Sequence, residues 1–366
     1  MTQKIEKLET LLQKTIKHKY ISNVILHVQT RNKEFEWSGA VSDANSKNTN
    51  CLRADSPYFI ASVTKIFTAT AIMLLYEQKK LDLENPISRF ISNKKICGIH
   101  KIKDYDHTNS LKIYHLITQT SGLADYFGQK NRQGKSMMNT LLTKGDMEWN
   151  LDTVLDLTRN SLTSKFPPAV KQGGGQKAFY SDTNYQLLGT ILENIYNKTL
   201  GEIFHTVFFE PLDLKESYVF GDDFSDMKRE KPVPIYFKDK TLDIPKAMKS
   251  FGPDGAIIST AKEQVQFLKA LFEGKIFQET KTLEWMQQWN KIFFPLEYGY
   301  GLMRYKLPRF MSPFTPIPAF IGHSGASGSF AFFCPEQDFY TAGTFNQINK
   351  PSAPFSLLLK IAQILK

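Results

Sequence analysis

Residues 59–76 read FIASVTKIFTATAIMLLY, and this stretch decides the fold. Its apolar side chains fall on every side of a helical projection, which predicts a helix buried on all its faces. Lys65 interrupts the apolar run, so we expect no membrane span here or elsewhere in the chain. The stretch therefore predicts a central helix inside a large globular core.

The segments on both sides of this helix predict one sheet built from the two ends of the chain. Apolar residues from Ile5 to Ile16 fall at helical spacing, and buried strands are expected over 24–28 and 35–37. Towards the C-terminus the apolar pair 257–258 precedes a predicted helix over 261–272, and the patterns predict strands at 330–333 and 339–345 and a final helix over 355–365.

Residues 81–214 have a different character, with helical periods at 114–118, 153–157 and 185–195 separated by Pro, Gly and Asn. We therefore predict an α/β (α+β) fold, in which an antiparallel sheet is flanked by N- and C-terminal helices and carries a mainly helical inserted domain. The predicted domains are 1–80 with 215–366 for the sheet and 81–214 for the helices, with the active site in the cleft between them.

The composition argues against several classes of partner. The net charge is +10, but the densest basic stretch, 93–107, also contains Asp104 and Asp106, so we expect a solvated loop and no nucleic-acid partner. Cys51, Cys97 and Cys334 show no paired spacing, and the histidines form no metal-binding pair, so no metal and no cofactor are expected. The oligomeric state is left open.

The N-terminal residues, MTQKIEKLETLLQKTIKHK, lack the apolar run of about 7 to 15 residues that a secretory signal needs. We therefore expect a cytoplasmic protein, or an extracytoplasmic one if a signal peptide was removed before residue 1.

Ser62 and Lys65 form a Ser-x-x-Lys pattern whose members share one face of the helix. A serine hydroxyl needs a base within hydrogen-bond reach, and a lysine with a pKa of about 10.4 is protonated at neutral pH. Burial in the apolar stretch is expected to lower the pKa of Lys65 and make it such a base.

The pattern also occurs at Ser92, Ser225 and Ser259. The first two lie in charged, polar stretches, and Ser259 precedes a Thr-x-x-Glu capping box at the start of a helix. Only Ser62 lies at the start of a buried helix, although a helix-capping serine is the competing interpretation.

Two further motifs follow in order: Tyr180-Ser181-Asp182 ahead of a helix, and Gly322-His323-Ser324-Gly325-Ala326-Ser327-Gly328 ahead of a strand. With Ser62 they resemble the family of class C β-lactamases, D-Ala-D-Ala carboxypeptidases and β-lactamase-like esterases. The segments 115–123 (HLITQTSGL), 185–189 and 254–261 (DGAIISTA) are also similar to segments of that family.

This resemblance implies that Ser62 is acylated, that Lys65 contacts its oxygen, and that Tyr180 moves the proton as a member of a pair that shares one proton with Lys65. It also implies an oxyanion hole formed by the backbone N–H groups of Ser62 and Ala326, with Gly325 keeping that strand edge clear of side chains.

Two residues depart from the family's more common pattern, and both are assigned to substrate binding. Asp182 replaces an Asn and is expected to pair with Lys65, and His323 replaces a Lys and binds a substrate carboxylate less strongly. The resemblance thus implies a serine hydrolase of small-molecule esters, amides or peptides, esterase-like or D-amino-acid-peptidase-like.

Three alternatives remain. One is a true β-lactamase or penicillin-binding protein, and another is a non-catalytic binding or scaffold protein with the same fold. A Gly-x-Ser-x-Gly hydrolase is disfavoured, because Ala326 stands where the last Gly would be.

Overall fold

The computed structural model describes residues 1–43, 52–222, 229–311 and 316–366. Cys51 and Ser225 lie outside the described residues. The helices are α1 (Thr2–Thr15), α2 (Thr64–Glu77), α3 (Asn93–Ile96), α4 (Ile113–Ile117), α5 (Met137–Lys144), α6 (Leu151–Asn160), α7 (Asp182–Tyr196), α8 (Leu200–Phe204), α9 (Pro245–Phe251), α10 (Ala261–Phe272), α11 (Thr280–Met286) and α12 (Ala353–Leu365).

The strands are short except for those nearest the chain ends. They are β1 (Asn23–Thr30), β2 (Glu36–Ser42), β3 (Tyr58–Phe59), β4 (Lys101–Ile102), β5 (Tyr105–Asp106), β6 (Tyr218–Val219), β7 (Ile235–Phe237), β8 (Lys240–Leu242), β9 (Ile257–Ser259), β10 (Asn290–Phe293), β11 (Leu296–Tyr298), β12 (Met303–Tyr305), β13 (Phe320–Ser324), β14 (Phe330–Cys334) and β15 (Phe339–Thr344).

The main sheet has the strand order β10-β11-β12-β13-β14-β15-β1-β2, and every neighbouring pair is antiparallel. Strands from the two ends of the chain therefore meet at the β15–β1 pair, where Ile25 lies opposite Thr344. The predicted fold class, with an antiparallel sheet, terminal helices and many helices between, is confirmed.

Both faces of this sheet are buried, as β14 shows. Phe330, Phe332 and Cys334 pack into one apolar cluster with α1 and α12, whereas Ala331 and Phe333 pack into a larger cluster with α2, α7 and α10. Successive side chains of a strand point to opposite faces of the sheet. Because both faces of β14 are buried, successive residues of this strand must all be apolar, which explains its continuous apolar run.

Helix α2 lies in the larger cluster, and nearly all its residues are buried. Phe67 packs its ring 3.7 Å from that of Phe267 and is flanked by the rings of Phe204, Phe208 and Phe209. The predicted buried helix is confirmed, but it begins later than predicted, since Phe59 belongs to β3.

Strands β10, β11 and β12 have no counterpart among the predicted elements, because they are only three or four residues long and are separated by tight turns. The division into 1–80 with 215–366 and 81–214 stays a prediction. Among the described residues, no helix combines the length and apolar composition needed to cross a bilayer.

We predict that Phe67→Ala lowers the free energy of unfolding by about 3 to 5 kcal/mol, because it opens a cavity among stacked rings. Urea denaturation followed by circular dichroism measures this loss. Tyr105→Ala is the control, since Tyr105 is 74% exposed and its removal opens no cavity. A loss for Phe67→Ala no larger than that of the control would contradict the central role of this cluster.

Candidate active site

Ser62 lies in a single 3₁₀ turn, Ala61–Val63, that leads into α2. Ala61 has φ +47°, a left-handed conformation that is unfavourable for a residue with a Cβ and is common at functional sites. In the described part of the chain, neither the Ser62 N–H nor the Ala326 N–H donates to a backbone oxygen. Both groups are therefore free to bind an oxyanion.

The ammonium of Lys65 is fully buried, donates hydrogen bonds to two oxygens and forms an ion pair with a third. Its Nζ lies 3.2 Å from Ser62 Oγ, 2.8 Å from the backbone oxygen of Asp254 and 2.8 Å from Asp182 Oδ1. Burial by itself lowers the pKa of Lys65, but the charges of Asp182 and Asp254 outweigh it and raise that pKa above its ordinary value. The expectation that burial would lower the pKa of Lys65 is therefore wrong.

Asp182 begins α7, where a carboxylate is favoured by the helix dipole. The start of α7 is held to the segment before it, because Ser181 and Thr183 both donate their hydroxyls to the backbone oxygen of Ala124, at 3.0 and 2.7 Å. These bonds fix the start of α7, so that the carboxylate of Asp182 faces Lys65 of α2.

Two further carboxyl groups surround this ion pair. Asp125 accepts the backbone N–H groups of Asp182 and Gly128, and Asp254 accepts the hydroxyl of Tyr126 at 3.1 Å. Burial, with the charge of Asp182, raises the pKa of Asp125 to about 7 and the pKa of Asp254 well above its usual range. The site thus retains protons on carboxyl groups near neutral pH.

The Tyr180 hydroxyl lies within interaction distance of Ser62. The Tyr180 ring centroid is 5.2 Å from Lys65 Nζ and 6.0 Å from the ring of Tyr298. Burial and the charge of Asp182 raise the pKa of Tyr180 well above its ordinary value. Tyr180 and Lys65 therefore both favour their protonated forms.

His323 lies on β13 and is completely buried. Its Nδ1 lies 2.8 Å from the backbone oxygen of Ser324, and burial together with the charge of Lys65 lowers its pKa to about 3. The imidazole is therefore neutral. Its ring centroid lies 6.1 Å from that of Tyr180, and its assignment to substrate binding stays a prediction.

Gly325 and Ala326 follow β13 and face the turn that carries Ser62. A Cβ at Gly325 would lie 2.8 Å from the Cβ of Ala61 and 2.3 Å from Ser329 Oγ, so only glycine permits this approach. Ser329 Oγ also donates to the backbone oxygen of Ile60 at 2.6 Å, which ties the two segments together. Ala326 is exposed and lines the cleft.

Ser62 opens into a cleft whose walls are mostly apolar. Asp182 and Asp254 lie at its floor, and the apolar walls are formed by Phe127, Met138, Leu141, Leu142, Ile235, Ile244, Met248, Phe251 and Ile348. None of the described residues that line it carries a positive charge.

The sequence analysis assigned no role to Asp125, Asp254 or the apolar walls. Asp254 belongs to the DGAIISTA segment, which contributed to the family resemblance. Its contact with Lys65, 189 residues earlier in the chain, depends on the tertiary fold and could not be inferred from the sequence. In the described residues, no group of three or more His, Cys, Asp or Glu side chains is arranged to hold a metal ion.

Comparison with known proteins gives one family match over nearly the whole chain. A family model described as Beta-lactamase matches residues 8–365. Penicillin-binding protein 4* of Bacillus subtilis (strain 168) is 25% identical over 234 residues, which are 61% of this chain and 46% of that protein. The chain therefore spans about half the length of the curated relatives that it matches.

Solved structures of the same fold cover the whole chain. D-amino acid amidase from Ochrobactrum anthropi SV3, complexed with D-phenylalanine, has a TM-score of 0.74 at 21% identity and covers 100% of this chain and 99% of its own. EstCE1, a hydrolase with promiscuous acyltransferase activity, has a TM-score of 0.75 at 18% identity, with 100% and 98% covered. At these identities the likeness shows a shared fold.

We predict that His323 makes the protein less stable as the pH falls. Its pKa is about 3 in the folded state and about 6.5 when unfolded, so the unfolded chain binds more protons between these values and stability falls from pH 6.5 downwards. His323→Gln should reduce the stability lost between pH 6.5 and 4.5 by about 1 to 2 kcal/mol, measured by urea denaturation at each pH.

His18→Gln is the control, because His18 is exposed. An unchanged pH slope in His323→Gln would contradict the burial of a neutral imidazole.

Proposed function

The chain belongs to the beta-lactamase family, and we propose that it is a serine hydrolase that cleaves an ester or amide with an apolar acyl part through an acyl-enzyme on Ser62. The observation that carries the proposal is the contact of 3.2 Å between Lys65 Nζ and Ser62 Oγ at the floor of an apolar cleft. A serine used only for capping a helix has no need of a buried ammonium beside it.

In the proposed acylation, Ser62 Oγ bonds to the substrate carbonyl carbon, and the carbonyl oxygen takes up the negative charge. The free N–H groups of Ser62 and Ala326 stabilise that charge. The proton of Ser62 passes to the pair formed by Tyr180 and Lys65, and the same pair protonates the leaving alcohol or amine as its bond to the carbonyl breaks. Water then attacks the acyl-enzyme, gives a proton to the pair, and releases the acid while Ser62 regains its proton.

The pair is an acceptor only after it has lost one of its two protons. Both are held because the pKa values of Lys65 and Tyr180 are raised. Lys65 Nζ lies 5.2 Å from the centre of the Tyr180 ring, and both groups interact with Asp182, so we assign the remaining proton to the pair rather than to either residue. The rate is therefore expected to rise with pH.

The walls of the cleft favour a particular kind of substrate. Phe127, Leu141 and Phe251 offer an apolar surface to an aliphatic or aromatic group. A substrate carboxylate would meet Asp182 and Asp254 with no cation among the described lining residues, and its burial without a partner is unfavourable. We therefore favour a neutral ester or amide, as in an esterase or a D-amino acid amidase, over a D-Ala-D-Ala peptide or a β-lactam.

We predict that a fluorophosphonate forms one covalent adduct on the wild-type chain and none on Ser62→Ala, as read by intact mass. Ser92→Ala is the matched control, because Ser92 begins another Ser-x-x-Lys pattern but is exposed and distant in sequence. It should react like wild type.

The same proteins are then assayed on p-nitrophenyl acetate, p-nitrophenyl hexanoate, D-phenylalanine amide, a D-Ala-D-Ala peptide and nitrocefin. We expect kcat/KM for the hexanoate to exceed that for the acetate by about tenfold or more, because its chain buries additional methylene groups. Absence of any adduct on wild type would favour a non-catalytic binding protein, and highest turnover of the peptide or nitrocefin would favour a penicillin-binding protein or β-lactamase.

We also predict that Asp182→Asn shifts the ascending limb of kcat/KM against pH to lower pH by about one unit or more. The Asp182 carboxylate raises the pKa of Lys65, so a neutral side chain allows the pair to lose its proton at lower pH. Asp152→Asn, which removes an exposed carboxylate 3.1 Å from Lys95, is the control. A shift to higher pH, or none, would show that Asp182 does not hold the proton on Lys65.

A further inference from the structure

The turn between β10 and β11 exposes two adjacent aromatic side chains. Phe293 is 59% exposed and Phe294 is 67% exposed, and Pro295 completes the turn. Phe293 pairs with Leu296, whose side chain is buried, so the two phenylalanines occupy the very end of this hairpin. Adjacent exposed aromatic residues at a hairpin tip are unfavourable in water unless another surface covers them.

A second segment brings more apolar surface to the same end of the sheet. The backbone N–H of Lys306, directly after β12, donates to the oxygen of Pro295, and Pro308 lines a shallow depression together with Phe294. Phe310 and Met311 follow two and three residues later and are 80% and 52% exposed. Phe293 and Phe294 are termed the tip patch below, and Phe310 and Met311 add exposed apolar residues close to it in the chain after Pro308.

The cations beside the tip patch give it a positive charge. Lys291, Lys306 and Arg309 are exposed and have no ion-pair partner among the described residues. The nearby carboxylate of Glu297 is already occupied by Arg304, with contacts of 2.5 and 2.7 Å. The whole chain also carries a net charge of +10, so its long-range field has the same sign as the patch.

We propose that the tip patch docks on the surface of a bilayer containing anionic lipids. The aromatic side chains enter the boundary between head groups and acyl chains, where Phe is favourable on an otherwise polar surface. Lys291, Lys306 and Arg309 then lie at the depth of the anionic head groups, which attract basic residues. Apolar residues combined with cations match the surface of an anionic bilayer. A second copy of the chain is a less favourable partner, because its own positive charge would repel these cations.

The tip patch shares no residue with the described lining of the cleft beside Ser62. Tyr298, beside Tyr180, and the turn at Pro295 are at opposite ends of the three-residue strand β11. The proposal is therefore independent of the proposed hydrolysis.

The test is co-sedimentation of the full chain with sucrose-loaded vesicles, either of phosphatidylcholine alone or of equal parts phosphatidylcholine and phosphatidylglycerol. Wild type should partition into the mixed vesicles and far less into the neutral ones. The double variant Phe293→Ser/Phe294→Ser should lower the partition coefficient into mixed vesicles by about tenfold or more, because two large apolar groups are lost. Lys306→Gln/Arg309→Gln should have an effect of similar size that disappears at high salt.

The β4–β5 hairpin supplies matched controls, since it carries an exposed aromatic residue and two exposed lysines. Tyr105→Ser and Lys101→Gln/Lys103→Gln should partition like wild type. All these variants should hydrolyse a soluble ester as wild type does, so a loss of partition is separated from a loss of folding or of catalysis.

Three results would overturn the proposal. One is equal partition of the Phe293→Ser/Phe294→Ser variant and wild type, and another is partition that does not depend on phosphatidylglycerol. The third is a wild-type dimer by light scattering that becomes a monomer in the Phe variant, which would make the tip patch an interface between two copies of the chain.

Discussion

The rest of the site depends on the burial of one ammonium group, that of Lys65. A buried cation without partners is strongly unfavourable, so it must find oxygen atoms and opposite charge around it. Lys65 donates to Ser62 one turn earlier and to the backbone of Asp254 before β9, and it forms an ion pair with the carboxylate of Asp182 at the start of α7. These come from three parts of the chain, and the ion therefore fixes α2, α7 and the 252–254 turn relative to one another.

Three carboxyl groups lie around this single ammonium, and their excess determines which groups of the site are protonated. Asp125, Asp182 and Asp254 face a single cation, so full ionisation of all three would leave buried negative charge unbalanced. Raised pKa values at Asp125 and Asp254 are the consequence. The same excess keeps Lys65 and Tyr180 protonated and makes the floor of the cleft a poor place for a substrate carboxylate.

Local patterns in the sequence predicted those parts of the fold that depend on local burial. The helix around Phe67, the strands β14 and β15 and the terminal helices have runs or periods long enough to identify. Strands β10, β11 and β12 do not, because three or four residues carry no period. The direction of the pKa shift of Lys65 was missed for a different reason: burial could be inferred from neighbours in sequence, whereas the opposing charges come from residues that only the tertiary fold brings near.

His323 shows why a motif can place a residue correctly on a strand without giving its surroundings. On β13, His323 is paired with Ala331, and both side chains lie on the face of the sheet that packs against α2. Burial, together with the charge of Lys65, keeps the imidazole neutral, and the Tyr298 hydroxyl lies 3.4 Å from its Nε2. Ala326 and Ser327, which come after the strand, line the cleft beside Ser62. Because this turn and the apolar walls border Ser62 directly, we expect them to select the acyl group in the proposed hydrolysis.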